Sequence, residues 1–317
     1  MKDVVPALLR MISAAAVLAA SLAPTTTATS SIPGPTFGSG LAGVQICAGN
    51  TVILNHTLSA SSTSGVLHHF WTTGQAGAID RIHVDYYIDG ETQPSISFQP
   101  ALMCGFGFPQ YYGTANGGDS GRVEYNGAST SNGAYTSDSS SDAATAPLLY
   151  SAGELCGKSA PIGGWWNTFP IPFQKSVVVT ARPDPQDIAS FSFGDSGSSC
   201  ITGYLNVRGT ENIPLTIPGS SIVLPPTTRL QLQRNDWALR QPYEFVDVVT
   251  VPADKNGLVF MSTLNVEAQP VGGSSAGGGY IEGCWNLLNG QNATYPGVVV
   301  GTGVEDYFDS AYYFGAD

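Results

Sequence analysis

The chain has 317 residues, with 24 Asp or Glu against 12 Lys or Arg, a formal net charge of −12. That balance excludes a nucleic-acid partner, whose phosphates would be repelled. Only 11% of residues are charged and 42% are hydrophobic, with 38 glycines and 21 prolines, a make-up that fits a turn-rich extracellular protein with a neutral substrate.

At the N-terminus, Lys2 and Arg10 precede a short alanine-rich apolar run, Met11 to Ala23, and then small polar residues around Ala28. The run is too short to span a bilayer. Residues 1–28 therefore read as a secretory signal peptide, with a retained anchor as the alternative given Asp3 and Pro6, and 29–42 as a flexible linker. No later stretch reaches transmembrane length, so the mature protein is expected to be secreted, with no membrane partner. Asn55-His56-Thr57 and Asn292-Ala293-Thr294 are glycosylation sequons that suit this route. Five cysteines, Cys47, Cys104, Cys156, Cys200 and Cys284, have neither metal-finger nor redox spacing. One or two disulfides are expected, their connectivity open, with an odd thiol left over. Neither a metal nor a cofactor is expected.

From residue 43 the pattern is β. Ile82, Val84, Tyr86 and Ile88 alternate with Arg81, His83, Asp85 and Tyr87, and Asp89-Gly90 ends the strand. Further strands are expected at 43–48, 51–58, 65–73, 94–99, 175–181, 188–193, 200–208, 229–234, 243–251, 257–267, 279–288 and 297–308. No amphipathic helix stands out after the leader. So many strands exceed one ordinary sandwich, and the expected fold is all-β, a double jelly-roll of two packed antiparallel β-sandwiches over 43–317. Residues 111–146, rich in Gly, Ser, Asn, Asp and Ala, read as a long mobile surface loop, with a lid over a site as the alternative. Gly163 to Phe173 sets Trp165, Trp166, Phe169 and Phe173 among prolines. A sugar-stacking wall and a rigid loop covering the core are both open for it.

Two carboxylates are the candidate chemistry. Gly277-Gly278-Gly279 leads into Tyr280-Ile281-Glu282-Gly283-Cys284-Trp285, where period two sets Glu282 opposite the apolar face of Ile281, Trp285 and Leu287. Glu305 follows Gly301-Thr302-Gly303-Val304 and precedes Asp306-Tyr307-Phe308. The spacing suits neighbouring strands joined by the turn-rich Asn289-Gly290-Gln291-Asn292. Paired carboxylates are the equipment of glycoside hydrolysis, one exchanging a proton and the other attacking the anomeric carbon or activating water. Taken alone, either glutamate is more often part of a turn or a solvated strand end.

Other candidates weigh less. His68 and His69 precede Phe70-Trp71, but with four histidines and no paired zinc spacing, a buried hydrogen-bonded histidine is the commoner reading. Ser196 in Gly194-Asp195-Ser196-Gly197 lacks the surroundings of a protease serine and reads as a turn. Cys284 has no partner histidine indicated.

Several segments in order resemble a known family. They are Gly65-Val66-Leu67-His68-His69-Phe70-Trp71-Thr72-Thr73; Asp85-Tyr86-Tyr87-Ile88-Asp89-Gly90-Glu91; Trp166-Asn167 with Pro170-Ile171-Pro172-Phe173; Tyr204 through Asn212; and the two glutamate segments. The chain resembles domain of unknown function 2961, glycoside hydrolase family 172, in the manner of a fungal branch. The family's closing signature is matched except at Val304. The resemblance covers residues 65–314 and implies a double jelly-roll that assembles as a homotrimer or a multiple of trimers. It implies a retaining hydrolase on α-linked D-fructofuranosyl or D-arabinofuranosyl units, with Glu305 as nucleophile and Glu282 as acid/base. Asp306, Trp71, His69, Trp166 and Tyr307 are the implied substrate-binding neighbours. It also implies further strands beyond Asp317, so the chain reads as C-terminally incomplete. The alternative, from a different class, is a non-catalytic carbohydrate-binding or assembly jelly-roll.

Overall fold

The computed structural model describes residues 9–19, 34–74, 78–103, 123–125, 128–130, 149–152, 155–159, 164–184, 200–217, 221–240, 247–252, 255, 257–268, 286–288, 294 and 297–300. Nearly all regular structure is antiparallel β. In chain order, β1 is Leu9–Ala19, β2 Thr36–Ile46, β3 Thr51–Thr57, β4 Gly65–Gly74 and β5 His83–Ile88. Then come β6 Ile96–Phe98, β7 Val123–Tyr125, β8 Ala128–Thr130, β9 Leu149–Ala152 and β10 Cys156–Ser159. Next are β11 Trp165–Asn167, β12 Ile171–Phe173, β13 Ser176–Arg182, β14 Ile201–Glu211 and β15 Leu215–Thr216. The last are β16 Val223–Leu224, β17 Arg229–Arg240, β18 Gly257–Ala268, β19 Asn286–Leu287 and β20 Val299–Val300. The one α-helix among the described residues, α1, is one turn at Pro100–Met103, and a 3-10 turn spans Ile79–Arg81.

Two sheets form a sandwich. One runs β2-β14-β4-β11-β10-β9, with β12 also on β4; the other runs β3-β13-β5-β6. β14 shows the logic most clearly. Ile201, Gly203, Leu205, Val207, Gly209 and Glu211 are buried, and the residues between them are half-buried or exposed. One face of this strand lies on the core and the other turns outward. The core joins Leu67, Phe70, Leu205 and Val207 of the first sheet to Val84, Tyr86, Val177 and Val179 of the second. Phe70 meets Phe98 edge-on at 5.4 Å across the layers. Each such side chain contributes roughly 1.5–3 kcal/mol on burial.

Turns and a cross-link fix the frame. Asp89 and Gly90 both take positive φ, 55° and 88°, so the expected Asp-Gly turn is present. The Asp89 carboxylate accepts bonds from the amides of Gln174, Lys175 and Ser176, which clamps the turn to the start of β13. Cys47 and Cys200 form a disulfide that joins the end of β2 to the start of β14, 153 residues apart. In the chain-entropy account a loop of that length is worth on the order of 5 kcal/mol. Cys156 is disulfide-bonded as well.

A third sheet, β17-β1-β18, lies against this sandwich. The Leu232 amide donates to Ser95 O at 3.1 Å, and Arg234 reaches Ser97 O and Gln99 Oε1 at 3.1 and 3.2 Å. Phe98, Leu102, Met103, Ile171, Leu230 and Met261 line an apolar pocket at this seam.

Two boundaries differ from the sequence reading. Residues 36–42, assigned to a linker, belong to β2, because Phe37 packs inward. Its ring stacks on His56 at 3.8 Å and meets Phe173 edge-on at 5.6 Å. Leu9–Ala19, read as part of a leader, pairs antiparallel with β17 on one side and β18 on the other. Of the other expected strands, 188–193 lies outside the described residues, and 247–251 is described without a strand. Within 111–146 the described residues form one short hairpin, β7 with β8.

Candidate functional site

The seven-stranded sheet turns one face away from the core, and three of the nominated binding residues share it. On β4, Leu67 and Phe70 are buried while His68, His69 and Trp71 are half-buried. Arg208 pairs with His69 and Gly209 with Leu67, so His68 is an extra residue in the ladder. That bulge lets two successive histidines leave the core together. Trp71 stands opposite Trp166 of β11 on one side and Asn206 of β14 on the other. One row across three strands is therefore Trp166, Trp71 and Asn206, and the adjoining row holds His69 and Arg208.

Small residues make room for this row. Gly164 lies under the Trp71 indole, where a Cβ would collide with Nε1 and with Thr72 O. Gly38 and Gly40 of β2 stand opposite Arg208 and Asn206, leaving the far side of that strand bare of side chains there. His68 Nε2 lies 3.0 Å from Thr210 Oγ1. Burial lowers the pKa of both His68 and His69, and the Arg208 charge lowers each further. Asn206 Oδ1 is buried without a hydrogen-bond partner among the described residues. Two indoles, an acceptor in need of a donor and an exposed guanidinium can stack a ring and hold its polar groups.

The tryptophan-rich stretch divides between the buried and the outward face of the sheet. Trp165 is 1% exposed and its Nε1 donates to Asp80 Oδ1 at 2.5 Å. Phe169, Ile171 and Phe173 are buried too. Trp166 alone of these large side chains remains on the outward face.

Glu282, Glu305, Asp306 and Tyr307 lie outside the described residues. The ladder between the two glutamates is described: Asn286 pairs with Val300 and Leu287 with Val299, antiparallel.

Sequence reasoning missed a second polar centre. Glu211 is 1% exposed, and its carboxylate accepts from His56 Nε2 at 2.9 Å, Ser59 N at 3.1 Å and Ser59 Oγ at 2.5 Å. Burial alone would raise its pKa. Hydrogen bonds from Ser59, Ser62 and His56 outweigh that and hold it down at about 2. Next to it, Asn212 takes φ 52° and its Oδ1 accepts from Thr63 N at 3.0 Å. His56 and Ser59 both bond the carboxylate rather than each other, so the group clamps the β3–β4 connection to the end of β14. The signal was legible: at period two Glu211 falls in step with Leu205 and Val207. Among the described residues no group of three or more His, Cys, Asp or Glu is placed to hold a metal ion.

The class defined by this architecture is an antiparallel β-sandwich with an aromatic and cationic outer face. No protein-family model matches the chain, and no curated protein sequence matches it.

Proposed function

We propose that this chain is a secreted retaining glycoside hydrolase that acts on α-linked furanosides, D-arabinofuranosyl or D-fructofuranosyl, and assembles as a homotrimer or a multiple of trimers. One observation carries the reading. Trp71 with His69, and Trp166, were nominated from motifs far apart in sequence, and they are register neighbours on one sheet face. That face supplies the stacking platform, and the two glutamate segments supply the chemistry. In the reaction, Glu305 attacks the anomeric carbon as Glu282 protonates the departing oxygen. Glu282 then takes a proton from water as its oxygen attacks the anomeric carbon and displaces Glu305, which releases the sugar with its configuration kept.

The test uses an activated aryl α-furanoside with azide. Glu305→Ala should give a glycosyl azide of inverted configuration, and Glu282→Ala one of retained configuration. If both variants keep wild-type turnover, the enzyme reading is lost. The second reading, a carbohydrate-binding or assembly protein, draws on the same Trp71–Trp166 platform, which a lectin needs as much as an enzyme does. It takes over if sugar binds to wild type without being cleaved.

A further inference from the structure

The acidity of this chain is not spread evenly. Four adjacent strands, β2, β14, β4 and β11, carry a single carboxylate between them, and it is Glu211, on the buried side of β14. No Asp or Glu stands on their outward face, in a protein with 24 such residues and a net charge of −12. The same face presents Arg208, exposed, opposite His69 and next along β14 from Asn206. Four strands with no outward carboxylate beside an exposed guanidinium are suited to receive negative charge.

The geometry narrows the ligand. The Trp71–Trp166 row and the His69–Arg208 row are two residues apart along β4, about 6.8 Å, or roughly one sugar ring. A ring stacked on the indoles therefore brings its own substituent, or that of the next ring, to Arg208. The planar guanidinium fork matches an oxyanion with two oxygens in one plane. Asn206, at the β14 end of the indole row, carries an unpartnered buried Oδ1 that suits a hydroxyl. A free anion would use the cation and leave the indoles idle; a neutral sugar would do the reverse.

We propose that this face binds an acidic glycan, a sugar chain bearing carboxylate or sulfate groups, with Arg208 reading the charge and Trp71 and Trp166 holding the ring. The inference rests on the reading of this face as the sugar-binding one. It refines the substrate from a neutral furanoside to an anionic polymer that carries such units.

The experiment is calorimetric binding to the full chain carrying Glu282→Gln and Glu305→Gln, which blocks the proposed turnover. The probes are oligogalacturonide against its methyl ester, and a sulfated galactan oligosaccharide against its desulfated form. In at least one pair the charged member should bind about tenfold tighter or more at low salt, and the gap should shrink as salt is added. Which pair shows it separates carboxylate from sulfate. Arg208→Gln should remove the preference for the charged member of the pair, and Arg208→Lys should keep part of it. Equal affinities within both pairs, no binding at all, or a preference that survives Arg208→Gln overturns the proposal. Binding is read without turnover. A wild-type protein that shows the preference but cleaves no furanoside would therefore refute the proposed activity and leave the acidic-glycan inference standing.

Discussion

Glu211 Oε1 lies 2.9 Å from His56 Nε2, across a sequence distance of 155 residues, with the glutamate 1% exposed. The pair binds the end of β3 to the last residue of β14, so it acts on stability. Glu211→Gln keeps the shape and removes the charge that three donors converge on. The expected loss is on the order of 2 kcal/mol, read as a lower denaturant midpoint with an unchanged slope.

The same group sets an acid limb. Its folded pKa, about 2, lies below the ordinary 4.5. Its contribution is therefore complete above pH 4.5 and disappears as pH falls from there toward 2. The stability gap between wild type and Glu211→Gln should close over that window. A gap that stays constant from pH 6 to pH 2.5 would show that the carboxylate's ionisation has no part in it.

Adjacent tryptophans should behave as opposites. Trp165→Ala empties a core position and breaks the bond to Asp80, at a cost of about 3–5 kcal/mol. Trp166→Ala should shift the melting temperature little and weaken sugar binding, or kcat/KM, by about tenfold or more. Thermal unfolding of both variants beside a binding titration separates the two roles. Equal destabilisation would place Trp166 in the core.

Gly164→Ala tests the seat of Trp71. The added methyl meets the indole nitrogen and Thr72 O, so the ring must move off its present position. Sugar affinity should fall several-fold while Trp71→Ala, which loses the ring altogether, falls further. Wild-type affinity in Gly164→Ala would mean that the ring's position does not matter to the ligand.

The N-terminal segment has two incompatible assignments. Under the proposed secretion, intact mass of the purified protein should place its first residue near position 29. The β17 and β18 amides that face Leu9–Ala19 would then exchange quickly with solvent. A mature chain that starts at Met1, with 9–19 protected from exchange, would end the leader reading and make β1 a structural strand.

How much of this was legible follows from period and parity. Alternation over 82–88 gave β5 and its Asp-Gly turn directly, because one side of that strand is apolar and the turn needs positive φ. β2 began seven residues before its expected start, since Phe37 is one aromatic among glycines and serines and buries itself only against Phe173 and His56, far along the chain. The gathering of His69, Trp71 and Trp166 needed the register of β4 with β11, which neither segment encodes by itself. Glu211 was overlooked because an acidic residue at a strand end reads as solvent-facing until its donors, from residues 56 to 62, are brought to it.

The position of β14 sets a timetable for synthesis. Both its neighbours, β2 and β4, precede it by more than a hundred residues. At roughly 5–20 residues per second, those strands wait several seconds or longer on the growing chain with their edges open. The broad sheet cannot zip until position 211 has been made, and the Cys47–Cys200 bond cannot close before its second thiol exists. Slowing translation between 75 and 200 should therefore lengthen the sticky interval, and lower the yield of soluble protein, whereas the same slowing after 211 should do little. Codon choice along that stretch becomes a determinant of whether the fold is reached at all.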